Sequence, residues 1–246
     1  MAAALTPVGA DRLSQLTTGL AAVRQRIGAA CRSSGRRPEE VTLVVVTKYF
    51  PVSDVRALHQ LGVDHVGESR DQEAAGKAAD CADLSLRWHF VGQLQTNKAR
   101  SVARYVDVVH SVDRPALVTA LDTAAERAGR RISCLVQVDL ADGAAAGRGG
   151  VAPSGVAAVA DAVAGSGSLR LGGVMAVAPL GADPARAFGR LAEVAASLRT
   201  DHPAASMVSA GMSGDLEAAI GAGATHVRVG SSVLGSRPPL RYRPNR

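Results

Sequence analysis

Lysine is scarce in this chain: Lys48, Lys77 and Lys98 are the only three among 28 lysine and arginine residues. Arginine therefore does nearly all the basic work of the surface, and lysine is kept where arginine cannot replace it. One such task is attack on an aldehyde, because an amine can lose its proton and form a Schiff base whereas a guanidinium cannot. Aromatic residues are only 3% of the chain, too few for base-stacking platforms. The net charge of +6 raises the question of nucleic acid, but the basic residues are scattered apart from Arg36-Arg37, Arg130-Arg131 and the segment 237–246. No nucleic-acid partner is expected.

Long apolar runs are missing as well. None approaches the roughly 20 residues of a membrane span, and the N-terminal MAAALTPVGADRL lacks the charged and apolar regions of a signal peptide. Cys31, Cys81 and Cys134 form no CxxC pair and are odd in number. They read as reduced thiols of a cytoplasmic protein without a membrane partner, Cys134 being a core residue of a strand. Neither G-x-G-x-x-G nor a Walker A sequence occurs; Gly147-Arg-Gly-Gly150 lacks the spacing.

What the chain does have is alternation. Leu13, Leu16, Leu20, Val23 and Ile27 have helical spacing and predict an amphipathic helix over 11–33. Short β-rich runs follow at 42–47, 64–67, 88–92, 106–110, 132–139, 171–176, 206–210 and 225–229. Helical stretches separate or follow them at 53–61, 70–79, 95–104, 114–128, 153–164, 184–199 and 213–222, with Ser53 and Ser213 as expected caps. Eight strand-helix repeats in 246 residues predict an α/β fold closed into a single (β/α)8 TIM barrel with an extra N-terminal helix. An open doubly wound sheet is the alternative. No linker divides the chain, so 1–246 is expected to be one domain with a flexible tail at 237–246.

In such a barrel the strand C-termini form the functional rim. The residues expected there are Lys48, Glu68, Gly92-Gln93, Ser111, Asp139, Met175, Ser209 and Gly230-Ser231. Ser209-Ala-Gly-Met-Ser213 and Arg228-Val-Gly-Ser-Ser232 fall after strands seven and eight, where phosphate sites are commonly built from backbone N–H groups and hydroxyls. Lys48 on the first strand and Arg228 on the last become neighbours on closure. A Schiff-base lysine beside a phosphate cradle suits a phosphosugar carbonyl or pyridoxal 5'-phosphate.

Longer motifs narrow this choice. Thr47-Lys48, Pro51-Val-Ser-Asp54, Gly67-Glu-Ser-Arg-Asp-Gln-Glu73 and Trp88-His-Phe-Val-Gly-Gln-Leu-Gln-Thr-Asn-Lys98 resemble the YggS/PROSC family of pyridoxal phosphate homeostasis proteins. His110-Ser-Val-Asp113, Gln137-Val-Asp139, Gly173-Val-Met175, the run from Ser209 to Ile220, and Val227-Arg-Val-Gly-Ser231 continue the match across 12–236. The resemblance implies a monomeric barrel like the N-terminal domain of alanine racemase. It implies pyridoxal phosphate on Lys48, phosphate contacts from Ser209, Gly211, Met212, Ser213, Gly230 and Ser231, and Arg228 facing the pyridine nitrogen.

Four departures stand out: Ser69-Arg70 in place of Asn-Tyr, Asp139 in place of Asn, Arg148-Gly149 in place of Lys-x-Gly, and Ala176 and Ala210 in place of Thr and Met. Racemisation would need a second acid/base opposite the lysine. His89 reads as a satisfied core residue, Tyr105 as packing, Tyr49 as misdirected and Tyr242 as part of the tail, while Leu234–Arg246 is too short for an added β-domain. A non-catalytic carrier is therefore expected, serving vitamin B6 homeostasis and handing cofactor to pyridoxal phosphate-dependent apoenzymes. A racemase of the same fold is the alternative.

Overall fold

Each β-branched run between helices forms a strand, and each strand pairs in parallel with the next. The computed structural model describes residues 8–141 and 149–236. The strands are β1 Thr42–Val46, β2 His65–Glu68, β3 Arg87–Phe90, β4 Val108–Val112, β5 Ile132–Gln137, β6 Leu169–Met175, β7 Met207–Ser209 and β8 His226–Val229. They pair in sequence order, and β8 closes on β1 with Val44 opposite Arg228. The result is the expected closed eight-stranded barrel, not an open sheet.

The helices are α1 Ala10–Ser33, α2 Val52–Gln60, α3 Asp71–Asp80, α4 Ala99–Val102, α5 Pro115–Arg127, α6 Val156–Ala164, α7 Pro184–Asp201, α8 Leu216–Gly221 and α9 Ser231–Leu234. None among the described residues is long and apolar enough to cross a membrane. Helix α1 buries Leu16, Leu20, Val23 and Ile27 of the predicted stripe against α8 and α9, whereas Leu13, its first member, is exposed. Full burial of one such side chain contributes roughly 1.5–3 kcal/mol. The Arg12 guanidinium adds two ties, to Asp54 of α2 at 2.6 Å and to the Leu234 carbonyl at 3.0 Å. The extra helix thus braces the short α9, which opens the functional rim.

Several boundaries differ from expectation for identifiable reasons. The fourth strand lies two residues later than 106–110; Asp107 just before it pairs its backbone with Trp88 and Ser133, and its carboxylate accepts from the Trp88 N–H at 2.8 Å and from Arg130 at 2.7 Å. Ser111 consequently sits inside β4 with its hydroxyl buried, not on the rim. The 95–104 helix shrinks to one turn at Thr96–Lys98 followed by α4. Helix α8 starts at Leu216, and neither Ser53 nor Ser213 caps a helix: α2 and α8 are preceded by Pro51 and Asp215 without side-chain cap bonds. Segment 237–246, Tyr242 and Arg148 lie outside the described residues.

Candidate functional site

Strand side chains alternate between faces, so residues two apart share one. Val46 and Lys48 at the end of β1, Ser69 after β2, Val91 after β3, Val177 after β6, Arg228 of β8 and Gly230 just after it all line one cavity of about 520 Å³. It opens at the strand C-termini and also takes in Phe50, Met212, Ser213 and Ser231. Lys48 and Arg228 are its two cations, and no Asp or Glu lines it among the described residues. A cavity with that balance suits an anion.

Lys48 is half-buried, and its amine has no hydrogen-bond or ion-pair partner among the described residues. Arg228 is buried and fixed: Nη1 donates to the Ser209 hydroxyl at 2.6 Å and Nη2 to the Ala176 carbonyl at 2.9 Å. Burial draws its pKa down to about 10, so it remains a cation at neutral pH.

The expected phosphate residues divide into two groups. Ser213, Gly230, Ser231 and Met212 line the cavity, and the Ser231 hydroxyl donates to that of Ser213 at 3.2 Å, joining the loops after β7 and β8. Ser209 and Gly211 lie beneath. The Ser209 hydroxyl serves Arg228 and His110, and its side chain is fully buried. Gly211 adopts φ +86°, and a Cβ there would come within 2.7 Å of the Ala219 Cβ. Its glycine requirement is therefore a matter of backbone conformation and packing under the cradle. The Met212 N–H is taken by the Asp215 carboxylate at 2.6 Å. A Cβ at Gly230 would press on the Val46 carbonyl at 3.1 Å, so glycine keeps the cradle floor low.

This chain matches the family model for the alanine racemase N-terminal domain over residues 19–238. It is 43% identical over 244 residues to the pyridoxal phosphate homeostasis protein of Mycobacterium tuberculosis (strain ATCC 25618 / H37Rv), covering 92% of this chain and 95% of that one. The chain belongs to the pyridoxal phosphate homeostasis protein family. The Escherichia coli (strain K12) homeostasis protein is 35% identical over 231 residues, covering 92% of this chain and 98% of its own. Among solved structures, PipY of Synechococcus elongatus PCC7942 with PLP bound superposes with a TM-score of 0.78 at 33% identity, covering 89% of this chain and all (100%) of that one. Alanine racemase of Corynebacterium glutamicum shares the fold at TM-score 0.68 and 15% identity, covering 94% of this chain and 63% of that chain.

Ser69 lines the cavity, whereas Arg70 lies over the Tyr49 ring, 5.7 Å from its centroid. The Asp139 carboxylate accepts from the Ala141 N–H at 3.0 Å and does not line the cavity. Tyr105 packs edge-on against Trp88, as expected for a structural residue, and burial raises its phenol pKa.

The sequence reading missed the support of Lys48. Lys77 Nζ is buried and donates to the Thr47 carbonyl at 2.8 Å, Glu68 Oε1 at 2.7 Å and Glu73 Oε1 at 2.6 Å. Glu73 Oε1 also accepts the Tyr49 N–H at 2.6 Å, and the Thr47 hydroxyl donates to Glu68 at 2.7 Å. Both neighbours of Lys48 are thereby clamped, and Tyr49 is held at φ +72°, the one non-glycine residue at positive φ among those described. Strain of this kind persists only where the surroundings over-determine it. Scarcity was the available signal, since it marks Lys77 as much as Lys48.

Proposed function

We propose that this chain binds pyridoxal 5'-phosphate and acts in vitamin B6 homeostasis as a cytoplasmic, monomeric, one-domain carrier that hands the cofactor to apoenzymes. The observation that carries the reading is the cavity itself, which brings a free lysine amine, a buried arginine and a two-loop hydroxyl cradle together with no carboxylate among the described residues. These groups fit the cofactor's donor needs: Lys48 for the aldehyde, Ser213, Gly230 and Ser231 for the phosphate, and Arg228 for the ring nitrogen. PipY, 33% identical, was solved with PLP bound, and the curated relatives carry the homeostasis name.

Bound pyridoxal phosphate supplies an electron sink. Arg228 limits it here, because a guanidinium donates a hydrogen bond to the ring nitrogen without yielding its proton. Lys48 faces no second acid/base group across the cavity, since the lining holds no His, Cys, Tyr, Asp or Glu among the described residues. Racemisation needs such groups on both faces. An open site with one amine and no acid/base group facing it suits loading and release.

Two titrations test this. Added pyridoxal phosphate should produce a visible band, and pyridoxal without the phosphate should bind at least tenfold more weakly, the effect of about 1.4 kcal/mol. Loaded protein incubated with single amino-acid enantiomers should leave them optically unchanged. Multiple-turnover racemisation would replace the carrier with the racemase, and equal binding of phosphosugars without colour would remove the cofactor.

A further inference from the structure

A chain of hydrogen-bonded imidazoles crosses the barrel interior beneath Arg228. His65 Nδ1 lies 2.9 Å from His89 Nε2, His89 Nδ1 lies 2.8 Å from His110 Nε2, and His110 Nδ1 lies 2.9 Å from the Ser209 hydroxyl. That hydroxyl accepts from Arg228 Nη1 at 2.6 Å. The rings come from the adjacent strands β2, β3 and β4, and their centroids are 5.1 Å apart at each step. One end, half-buried His65, lines a second cavity of about 450 Å³ beside Thr42, Leu43 and Asp64, where β1 and β2 begin. The other end is the guanidinium that lines the candidate cofactor cavity. The chain therefore connects the two ends of the barrel.

We propose that His110 and His89 are positioning residues for Arg228, arranged in one tautomeric order that runs from the guanidinium to His65. The order follows from donor arithmetic. Arginine only donates, so the Ser209 oxygen accepts, and its single proton is directed to His110 Nδ1. A neutral His110 then carries its proton on Nε2 and donates to His89 Nδ1. His89 in turn donates from Nε2 to His65 Nδ1, and His65 keeps its Nε2 proton. Every group in this order finds one partner. The reversed order places two donors on the Ser209 oxygen and leaves its own proton without an acceptor among the described residues.

The surroundings favour neutral rings. His89 faces His65, His226 and Arg87; His110 faces His89, Arg228 and His226; His65 faces Arg87, Asp64 and Asp107. Burial, helped by the nearby cations, lowers the pKa of all three rings. A cationic His110 would lose the lone pair that receives the Ser209 proton and would repel the guanidinium. The state of the relay and the hold on Arg228 are thus coupled.

The inference deepens the cofactor reading at its Arg228 end, but its first test does not need cofactor. Nitrogen-15 NMR of histidine-labelled, cofactor-free protein at neutral pH should show His110 and His89 as Nε2–H tautomers. Ser209→Ala should abolish that preference at His110. A dominant Nδ1–H form at His110 in the parent protein would overturn the order.

The second test uses loaded protein. His110→Leu should weaken pyridoxal phosphate binding about tenfold, as expected for an ill-placed charged hydrogen bond, and should shift the visible band. His110→Asn, whose amide oxygen can stand in for Nδ1, should stay within about twofold of the parent, a few tenths of a kcal/mol. Equal behaviour of the Leu and Asn variants would overturn the positioning role. If the parent takes up no coloured ligand at all, the cofactor reading has failed, and the tautomer result still decides the relay.

Discussion

Acidification from pH 7 to pH 5 is expected to lower the melting temperature of this protein by at least about 5 °C. His89, His110 and His226 are buried, and burial is the leading cause that lowers each of them, His226 to about 4. In the unfolded chain these rings titrate near 6.5. Between the two values the unfolded chain binds more protons than the fold, so stability is complete above pH 6.5 and is lost as the pH falls toward the folded values. A ring kept neutral at pH 5 costs the fold about 2 kcal/mol relative to the unfolded chain. His226 alone accounts for about that amount, and His89 and His110, lowered by the same burial, act in the same direction. His65 is half-exposed and is left out. Thermal melts at half-unit intervals check the prediction. A melting temperature flat from pH 7 to pH 5 would mean that the rings are not held neutral.

The second large effect belongs to Lys77→Ala. The substitution removes three hydrogen bonds from one buried amine and leaves Glu68 fully buried without its counter-ion. Burial already pushes the Glu68 carboxyl above the usual range, with Lys77 opposing that shift, and its Oε2 has no partner among the described residues. Breaking a buried pair by removing one member typically costs about 3–5 kcal/mol, or roughly 10 °C in a chain of this size. The Thr47 carbonyl and, through Glu73, the Tyr49 N–H lose their anchor together, so the corner carrying Lys48 should relax and cofactor trapping should fall. Adding Glu68→Gln to Lys77→Met removes the uncompensated charge and should recover much of the stability without restoring the corner. Melting curves and borohydride incorporation separate the two effects. A Lys77→Ala protein within 1 kcal/mol of the parent, about the median value of an exposed pair, would show that the clamp is not a buried one.

The barrel was legible because its signals are local. β-Branched runs alternate with helical spacing, and the residue at each strand end can be read directly, which placed Lys48, Arg228, Gly230 and Ser231 on one cavity. Ser209 was legible as a member of the rim but not as the group beneath Arg228, because that depends on which way a strand face turns. The histidine relay was illegible as a unit. His65, His89 and His110 are separated by more than twenty residues at each step, and only barrel closure aligns them. The role of Lys77 was illegible beyond its scarcity, since its Glu73 partner has ordinary i,i+4 spacing and Glu68 reaches it only through the β2–α3 turn. The fourth strand starts two residues later than its β-rich run, and the side-chain tie of Asp107 to the neighbouring strand is a tertiary contact that no propensity encodes.

Most direct of all is the visible spectrum of the protein mixed with pyridoxal phosphate, recorded before and after borohydride beside Lys48→Ala. The account predicts a yellow band that bleaches on reduction and leaves the cofactor covalently on the peptide containing Lys48, with no trapped adduct in the Lys48→Ala protein. An adduct retained by Lys48→Ala, or a parent protein that stays colourless, would contradict it.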